Sequence, residues 1–385
     1  MVPALRYPHY EGTPWVIGGD LATIFPYLAF YLPAPTFIRR WLSVDADGSP
    51  RRNVSNNSCH TLNDATADDI DGKRGIGNEG ARTRTSADHH KEAIALDLAL
   101  PEGGLDASKP FYVVLHGLNG GSAEAYVLDF TNHALERGSG VCVMVTRGCM
   151  GTPVRGEQIF HGARMSDARA TVKAIRQALP FETPLAMVGY SMGGIIAANY
   201  ATRAGADSGL NCCVSMSGIF DSRPPLSLYK HSLRVWQPVL AKGLKENFVM
   251  PNRRKIATRR ARGVDLQIID RCKTVVDIDT NMVAPFFGYT SVEEYYIDMS
   301  AAAEGKISGL KTPLLAVSAL DDPIMISEGS PVDEIVDVDN LFFLLTRKGG
   351  HVGWPMGWLP WRNKWLWMSS TALDFCEAIA ATDNI

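Results

Sequence analysis

Residues 185–200 read Leu185-Ala186-Met187-Val188-Gly189-Tyr190-Ser191-Met192-Gly193-Gly194-Ile195-Ile196-Ala197-Ala198-Asn199-Tyr200. Four apolar residues lead into Gly-Tyr-Ser-Met-Gly, and a helical apolar run follows. This is the sequence form of a strand that turns sharply into a helix with a serine at the turn. The small residues let strand and helix approach closely, and the backbone strain thrusts the hydroxyl out above a sheet. It is the only G-x-S-x-G in the chain. Ser191 is therefore the candidate nucleophile; a tight turn in which Ser191 merely caps the helix is the bland alternative.

A serine hydroxyl needs a base. Only His231 and His351 lie C-terminal to Ser191. His351 follows an apolar run in Lys348-Gly349-Gly350-His351, where two glycines let a loop carry an imidazole over the sheet edge. His231 lies in a long insertion and is the weaker candidate. The acid that orients the base should follow a strand end between the two. Leu314-Leu315-Ala316-Val317-Ser318-Ala319-Leu320-Asp321-Asp322-Pro323 offers two adjacent carboxylates. Spacing from Pro313 through the strand favours Asp322, leaving Asp321 to cap or meet solvent. Two backbone N–H groups would hold a developing oxyanion. One belongs to Met192; the other is assigned to Leu118 in the loop His116-Gly117-Leu118-Asn119-Gly120-Gly121. His116 is read as bracing that loop.

Short apolar runs recur around this turn: Tyr112 to Leu115, Val141 to Val145, Leu185 to Val188, Cys212 to Met216, Leu314 to Val317 and Leu341 to Leu345. Each reads as a strand buried on both faces, the mark of a parallel sheet. Helical patterns lie between them at Glu124 to Arg137, Ser166 to Ala178, Gly193 to Arg203 and Val292 to Ala303. Alternating strand and helix gives an α/β class with a doubly wound, mostly parallel sheet and helices on both faces. The gap of about 221–290 interrupts the rhythm and is expected to form a lid or cap. Its basic run, Arg253, Arg254, Lys255, Arg259, Arg260 and Arg262, reads as a solvated helix face or as an attraction for anionic lipid headgroups or acidic substrates.

The 385 residues are 46% hydrophobic and 21% charged, an ordinary globular balance that excludes fibrous and wholly disordered chains. A net charge of −3 gives no electrostatic case for nucleic acid. Seven cysteines, an odd number, include no C-x-x-C pair, and the N-terminus lacks a secretory signal pattern. An intracellular, reduced setting is expected, cytoplasmic or peripherally membrane-associated and not secreted. Residues 1–50 form an apolar, Pro-rich extension expected to pack on the core. Residues 51–90 are polar and expected to be a flexible insertion, and 91–385 hold the main domain. Val16 to Ile38 is apolar enough to test for a membrane span, but Asp20, Pro26, Pro33 and Pro35 would break a spanning helix. Packing onto the domain is expected, with an interfacial contact compatible. Among the C-terminal tryptophans, Trp365 is assigned to packing, and Trp354 and Trp358 to the pocket or an interface.

Several spaced motifs resemble one family. Gly19-Asp20-Leu21-Ala22-Thr23-Ile24-Phe25-Pro26 resembles a G-H-L-Q-T-x-x-P signature, with Asp20 and Ala22 standing where His and Gln are usual. Leu115-His116-Gly117-Leu118 with Gly120-Gly121-Ser122 resembles its oxyanion loop. Arg147-Gly148-Cys149, Pro153, His161-Gly162 and Asp167 resemble an R-G-C…P…H-G…D pattern, and Gly189 to Gly194 its elbow. Ala319-Leu320-Asp321-Asp322-Pro323 and Gly349-Gly350-His351-Val352-Gly353 match its acid and base motifs. The family is the α/β-hydrolase group of YheT-, EMB8- and ABHD1/ABHD3-like proteins. The resemblance covers the chain from about Gly18 onward. It implies the α/β-hydrolase fold and a Ser191–His351–Asp322 triad. It also implies hydrolysis of carboxylic esters, lipid or acyl esters favoured, with no metal or organic cofactor. It assigns Arg147, His161 and Asp167 structural roles. The expected partner is a small-molecule ester or lipid. Two alternatives stand beside this: acyl transfer through the same acyl-enzyme, and a non-catalytic binding or scaffold protein on the same fold.

Overall fold

A computed structural model describes residues 10–44, 92–154, 158–223, 230–259, 262–325, 329 and 338–382. The expected flexible insertion at 51–90 and Arg260 lie outside the described residues.

Eight strands make one sheet: β1 (Ile38–Val44), β2 (Glu92–Ala99), β3 (Phe111–Leu115), β4 (Val141–Val145), β5 (Leu185–Tyr190), β6 (Cys212–Met216), β7 (Leu314–Ala319) and β8 (Leu341–Thr346). They lie in the order β1-β2-β4-β3-β5-β6-β7-β8. β1 with β2 and β2 with β4 are antiparallel; every later pairing is parallel. Every residue of β3, β4, β5 and β6 is buried, as continuous apolar runs require between two helical layers. β8 departs from that expectation. It is an edge strand, and its Leu341–Leu345 stretch stays partly exposed. β1 and β2 are additions to the sequence reading. Arg39 and Asp97 interrupt their apolar runs, and these two side chains pair across the strands at 2.7 Å.

The two faces follow the strand alternation. Val114, Val188 and Tyr190 pack against α2 (Ala125–Glu136) and, C-terminally, α7 (Leu366–Thr382). Val113, Leu115 and Met187 pack against α3 (Ser166–Ala178) and α4 (Met192–Ala204). Trp354, Trp365 and Trp367 are fully buried on the α7 side. The assignment of Trp354 to a pocket or interface is thus corrected. It stacks on Trp367 at 5.6 Å, and its Nε1–H donates to Thr346 Oγ1 at 3.0 Å. Trp358 is exposed.

The N-terminal segment forms α1 (Gly19–Ala29), with Pro26 inside it. Pro26 has no N–H for the Ala22 carbonyl, and the helix ends three residues later. α1 turns Gly19, Ala22, Thr23 and Pro26 inward. Among the described residues, no helix is long and apolar enough to cross a membrane. The six described cysteines are all buried and unpaired by disulfides.

Between β6 and β7 comes a helical layer. It holds α5 (Lys230–Leu244), a π turn at Lys245–Val249, short helices at Arg253–Ala257, Leu266–Arg271 and Val275–Ile278, a second π turn at Asp279–Val283, and α6 (Val292–Met299). α6 is shorter than the expected Val292 to Ala303 helix because Ser300 turns extended. The layer has its own apolar cluster, with Phe248, Ile278, Met282 and Phe286 packed against Ile195 and Ile219. Part of its basic run is held internally. Arg253 pairs with Asp270 at 2.8 Å, Arg259 lies 5.2 Å from the Phe286 ring centroid, and Arg262 donates to Phe286 O.

Candidate active site

Ser191 sits between β5 and α4 with φ 53° and ψ −117°, a region that a residue bearing a Cβ visits at a cost. The turn closes only because Gly189 and Gly193 lack side chains. A Cβ on Gly193 would lie 2.1 Å from Leu115 O, and one on Gly189 2.1 Å from Gly193 O. The Ser191 N–H donates to Met216 O on β6 at 2.8 Å. The hydroxyl is left to project over the sheet.

His351 reaches this hydroxyl from the loop after β8. Its Nε2 lies 2.8 Å from Ser191 Oγ, and its Nδ1 lies 2.8 Å from Asp322 Oδ2. An ionised carboxylate only accepts, so Nδ1 carries the proton and Nε2 receives the serine O–H. Asp322 is fixed by two further bonds, from the N–H groups of Ile324 (2.8 Å) and Met325 (2.9 Å) to Oδ1. Asp321 points elsewhere. Its Oδ1 accepts the Gly350 N–H at 2.9 Å, and burial holds its pKa above the usual carboxylate range. The two adjacent carboxylates thus divide, one to the imidazole and one to the loop that carries it.

Three contacts around Ser191 and His351 were not legible in the sequence. Thr23 Oγ1 accepts the His351 N–H at 2.8 Å and donates to Gly19 O at 2.7 Å. Ser217 Oγ accepts the Val352 N–H at 2.9 Å. Tyr126 Oη accepts the Gly117 N–H at 2.9 Å, fixing the loop beside Ser191. The one available signal was the Gly19–Pro26 motif, which contains Thr23. Ser217 and Val352 both have positive φ, 50° and 51°, so backbone strain gathers at this end of the sheet.

The loop after β3 carries Leu118 alongside the serine; a Cβ on Gly117 would be 3.4 Å from Ser191 Cβ. Met192 opens α4, where the first N–H groups have no intrahelical acceptor and the helix end is positive. Leu118, Met192, Ser191 and His351 line one pocket. Its other wall comes from the helical layer, through Leu240, Val275, Val276 and Met299, and from Ile324 and Met325. The cavity is about 130 Å³ and predominantly apolar.

The remaining candidates lie outside this relay. His231 is exposed, and its Nε2–H donates to Asp20 Oδ1 at 2.9 Å; Trp236 Nε1–H donates to the same oxygen at 2.6 Å. His116 is buried: the Thr146 N–H donates to Nε2, so Nδ1–H donates to Gly117 O at 2.7 Å. Desolvation lowers its pKa to about 4. Arg147 and Asp167 make a buried bidentate pair at 2.8 and 2.7 Å. The His161 ring lies tilted against Phe287, centroids 4.1 Å apart, and burial lowers its pKa to about 3.

Residues 112–268 match the α/β-hydrolase fold family. The chain is 30% identical over 273 residues to the putative esterase YheT of Escherichia coli, covering 70% of this chain and 78% of that protein. It is 29% identical over 259 residues to a monoacylglycerol lipase of Saccharomyces cerevisiae, covering 66% of this chain and 57% of that one. It is 26% identical over 285 residues to phospholipase ABHD3 of Mus musculus, covering 71% and 65%. The aligned segment thus spans little more than half of the yeast protein. The strand order, the serine turn and these similarities agree, and the chain belongs to the α/β-hydrolase family, in the group that includes the YheT and ABHD3 proteins.

Proposed function

We propose that this protein is a serine hydrolase of carboxylic esters, with lipid or acyl esters as substrates. The observation that carries the reading is the Asp322–His351–Ser191 relay, with both links at 2.8 Å, opening on an apolar pocket. His351 Nε2 takes the Ser191 proton as Oγ attacks the ester carbonyl. The tetrahedral oxyanion is held by the N–H groups of Leu118 and Met192. His351 passes its proton to the departing alcohol, and Ser191 keeps the acyl group. Water, deprotonated by His351, then attacks the acyl-enzyme, and the acid leaves as Ser191 regains its proton. Asp322 holds the imidazole in the required tautomer and stabilises the imidazolium.

The lipase and phospholipase names of the relatives support a lipid ester. The cavity size refines this. At about 130 Å³ it approaches the roughly 150 Å³ of an engineered apolar cavity that takes benzene. As it stands it seats a short acyl chain or the first part of a longer one. A longer chain would extend from it along the wall formed by the helical layer. The test is labelling with a fluorophosphonate followed by intact mass measurement. One adduct on wild type and none on Ser191→Ala is expected; no adduct on the folded wild type, with or without lipid vesicles, overturns the reading.

A further inference from the structure

An apolar pocket would serve an acyl chain without help, yet one wall of this pocket carries a carboxyl. Asp279 is the first residue of the second π turn and lines the cavity that holds Ser191 and His351. Among the described residues, six aspartates are buried. Five meet a basic side chain: Asp97 with Arg39, Asp129 with His133, Asp167 with Arg147, Asp322 with His351 and Asp374 with Arg137. Asp279 meets a phenol instead, accepting the Tyr296 O–H at 3.0 Å on Oδ2. A carboxyl buried this way is costly unless further hydrogen bonds satisfy it. Burial raises its pKa to about 7.

More polar groups lie along the same wall. Tyr296 also lines the cavity, as does Ser222. The Ser222 N–H donates to Ser300 Oγ at 2.8 Å, and Ser300 Oγ–H donates to Tyr296 O at 2.6 Å. The Ser222 hydroxyl itself is buried with no hydrogen-bond partner among the described residues. The π turn sets Asp279 at the head of an irregular helical segment, a device found often at functional sites.

We infer that Asp279, with Tyr296, recognises a hydroxyl carried by the substrate, so that the preferred esters bear a hydrogen-bond donor within reach of this wall. The inference rests on the hydrolase reading. A hydroxyl fits better than a cation, because an ion pair in so desolvated a place costs several kcal/mol per ion. An anion is excluded by the carboxyl itself. A hydroxyl donates to Asp279 whether that group is ionised or neutral, and Ser222 Oγ–H is available to donate to the ligand oxygen.

The hydroxyl could sit on the alcohol half or the acyl half of the ester, and matched pairs separate the two. 2-Hydroxyethyl butyrate is compared with propyl butyrate, and propyl 4-hydroxybutyrate with propyl pentanoate. The readout is the ratio of kcat/KM within each pair, for wild type, Asp279→Leu and Asp279→Asn. Wild type is expected to favour the hydroxyl ester about tenfold in one pair, the worth of one good hydrogen bond. The pair that responds tells which half carries the hydroxyl. Asp279→Leu is expected to bring that ratio near one, and Asp279→Asn, which keeps an acceptor, to retain part of it. Wild-type ratios within twofold in both pairs overturn the inference while leaving the hydrolase reading intact. So does a ratio that Asp279→Leu leaves unchanged. If Asp279→Leu fails to fold, the near-isosteric Asp279→Asn and Tyr296→Phe decide, and unchanged ratios in both overturn the inference. No turnover of any of the four esters by wild type that takes the fluorophosphonate adduct overturns this inference and leaves the hydrolase reading intact; no turnover and no adduct overturn both.

Discussion

Thr23 and His351 stand 328 positions apart and meet at 2.8 Å, the threonine hydroxyl accepting the histidine backbone N–H. The contact joins α1 to the loop that carries the proposed base. A Cβ on Gly353 would lie 2.1 Å from Ala22 O, so loop and helix are pressed together along this seam. Thr23 acts on Ser191 only through His351, as a positioning residue. Thr23→Val keeps the shape and removes the acceptor. It is expected to lower kcat about tenfold while leaving KM nearly unchanged, because a small displacement of a base costs rate rather than binding. Thr23→Ser restores the acceptor and should restore kcat. Equal losses in Thr23→Val and Thr23→Ser would mean that packing, and not the hydrogen bond, matters here.

Asp321 and Asp322 are neighbours with the same chemistry and different partners. Removing the charge that faces the imidazole disfavours the correct tautomer, which in serine proteases costs about 10⁴ in kcat. Asp322→Asn is therefore expected to lose activity on that order. Asp321→Asn should lose about tenfold or less, since its carboxyl meets the backbone of Gly349 and Gly350 in the loop and not the imidazole. Steady-state kinetics on one short ester checks both. Comparable losses would reverse the assignment.

The members of the proposed relay were legible because each follows a strand and carries its own local signal: the glycines around Ser191, the aspartate pair after β7, the glycine pair before His351. What failed lay where a residue's meaning is set by a distant partner. β2 reads poorly because Asp97 interrupts it, and Asp97 makes sense only beside Arg39 of β1. Trp354 looks like a pocket residue next to His351, yet its indole is drawn into the core by Thr346 and Trp367. Asp279 had no local signal at all, and Thr23 had only its place in the Gly19–Pro26 motif. Their roles arise from contacts between segments that sequence spacing does not relate.

The Arg147–Asp167 pair links the loop after β4 to the first turn of α3, with Arg147 wholly buried. Breaking a buried pair from one side leaves an uncompensated charge. Asp167→Asn is expected to destabilise the fold by about 3–5 kcal/mol. The double replacement Arg147→Met with Asp167→Leu should recover much of that loss, because neither charge then remains. Urea unfolding of the three proteins measures the difference. A double variant as unstable as the single one would show that shape, rather than charge, holds this joint.

Two buried groups make the stability respond to acid in opposite directions. Desolvation lowers the His116 pKa to about 4, against the raising effects of its Gly117 bond and of Asp97. From about pH 6.5 down to 4 the unfolded chain takes up a proton that folded His116 refuses. Stability is therefore lost over that window, by about 3 kcal/mol at its foot. Asp279 has the reverse sign. Burial raises its pKa to about 7, against the lowering effect of Tyr296. Folded Asp279 takes up its proton first, so stability is gained as pH falls from about 7 to 4, by about 4 kcal/mol. These two contributions largely offset each other in the wild type. Asp279→Asn removes one and keeps the other. Its urea midpoint should fall increasingly behind that of wild type between pH 7.5 and 5, and His116→Gln should show the opposite trend. Parallel pH profiles for wild type and Asp279→Asn would mean that water reaches Asp279 and that its carboxyl titrates as an ordinary surface acid.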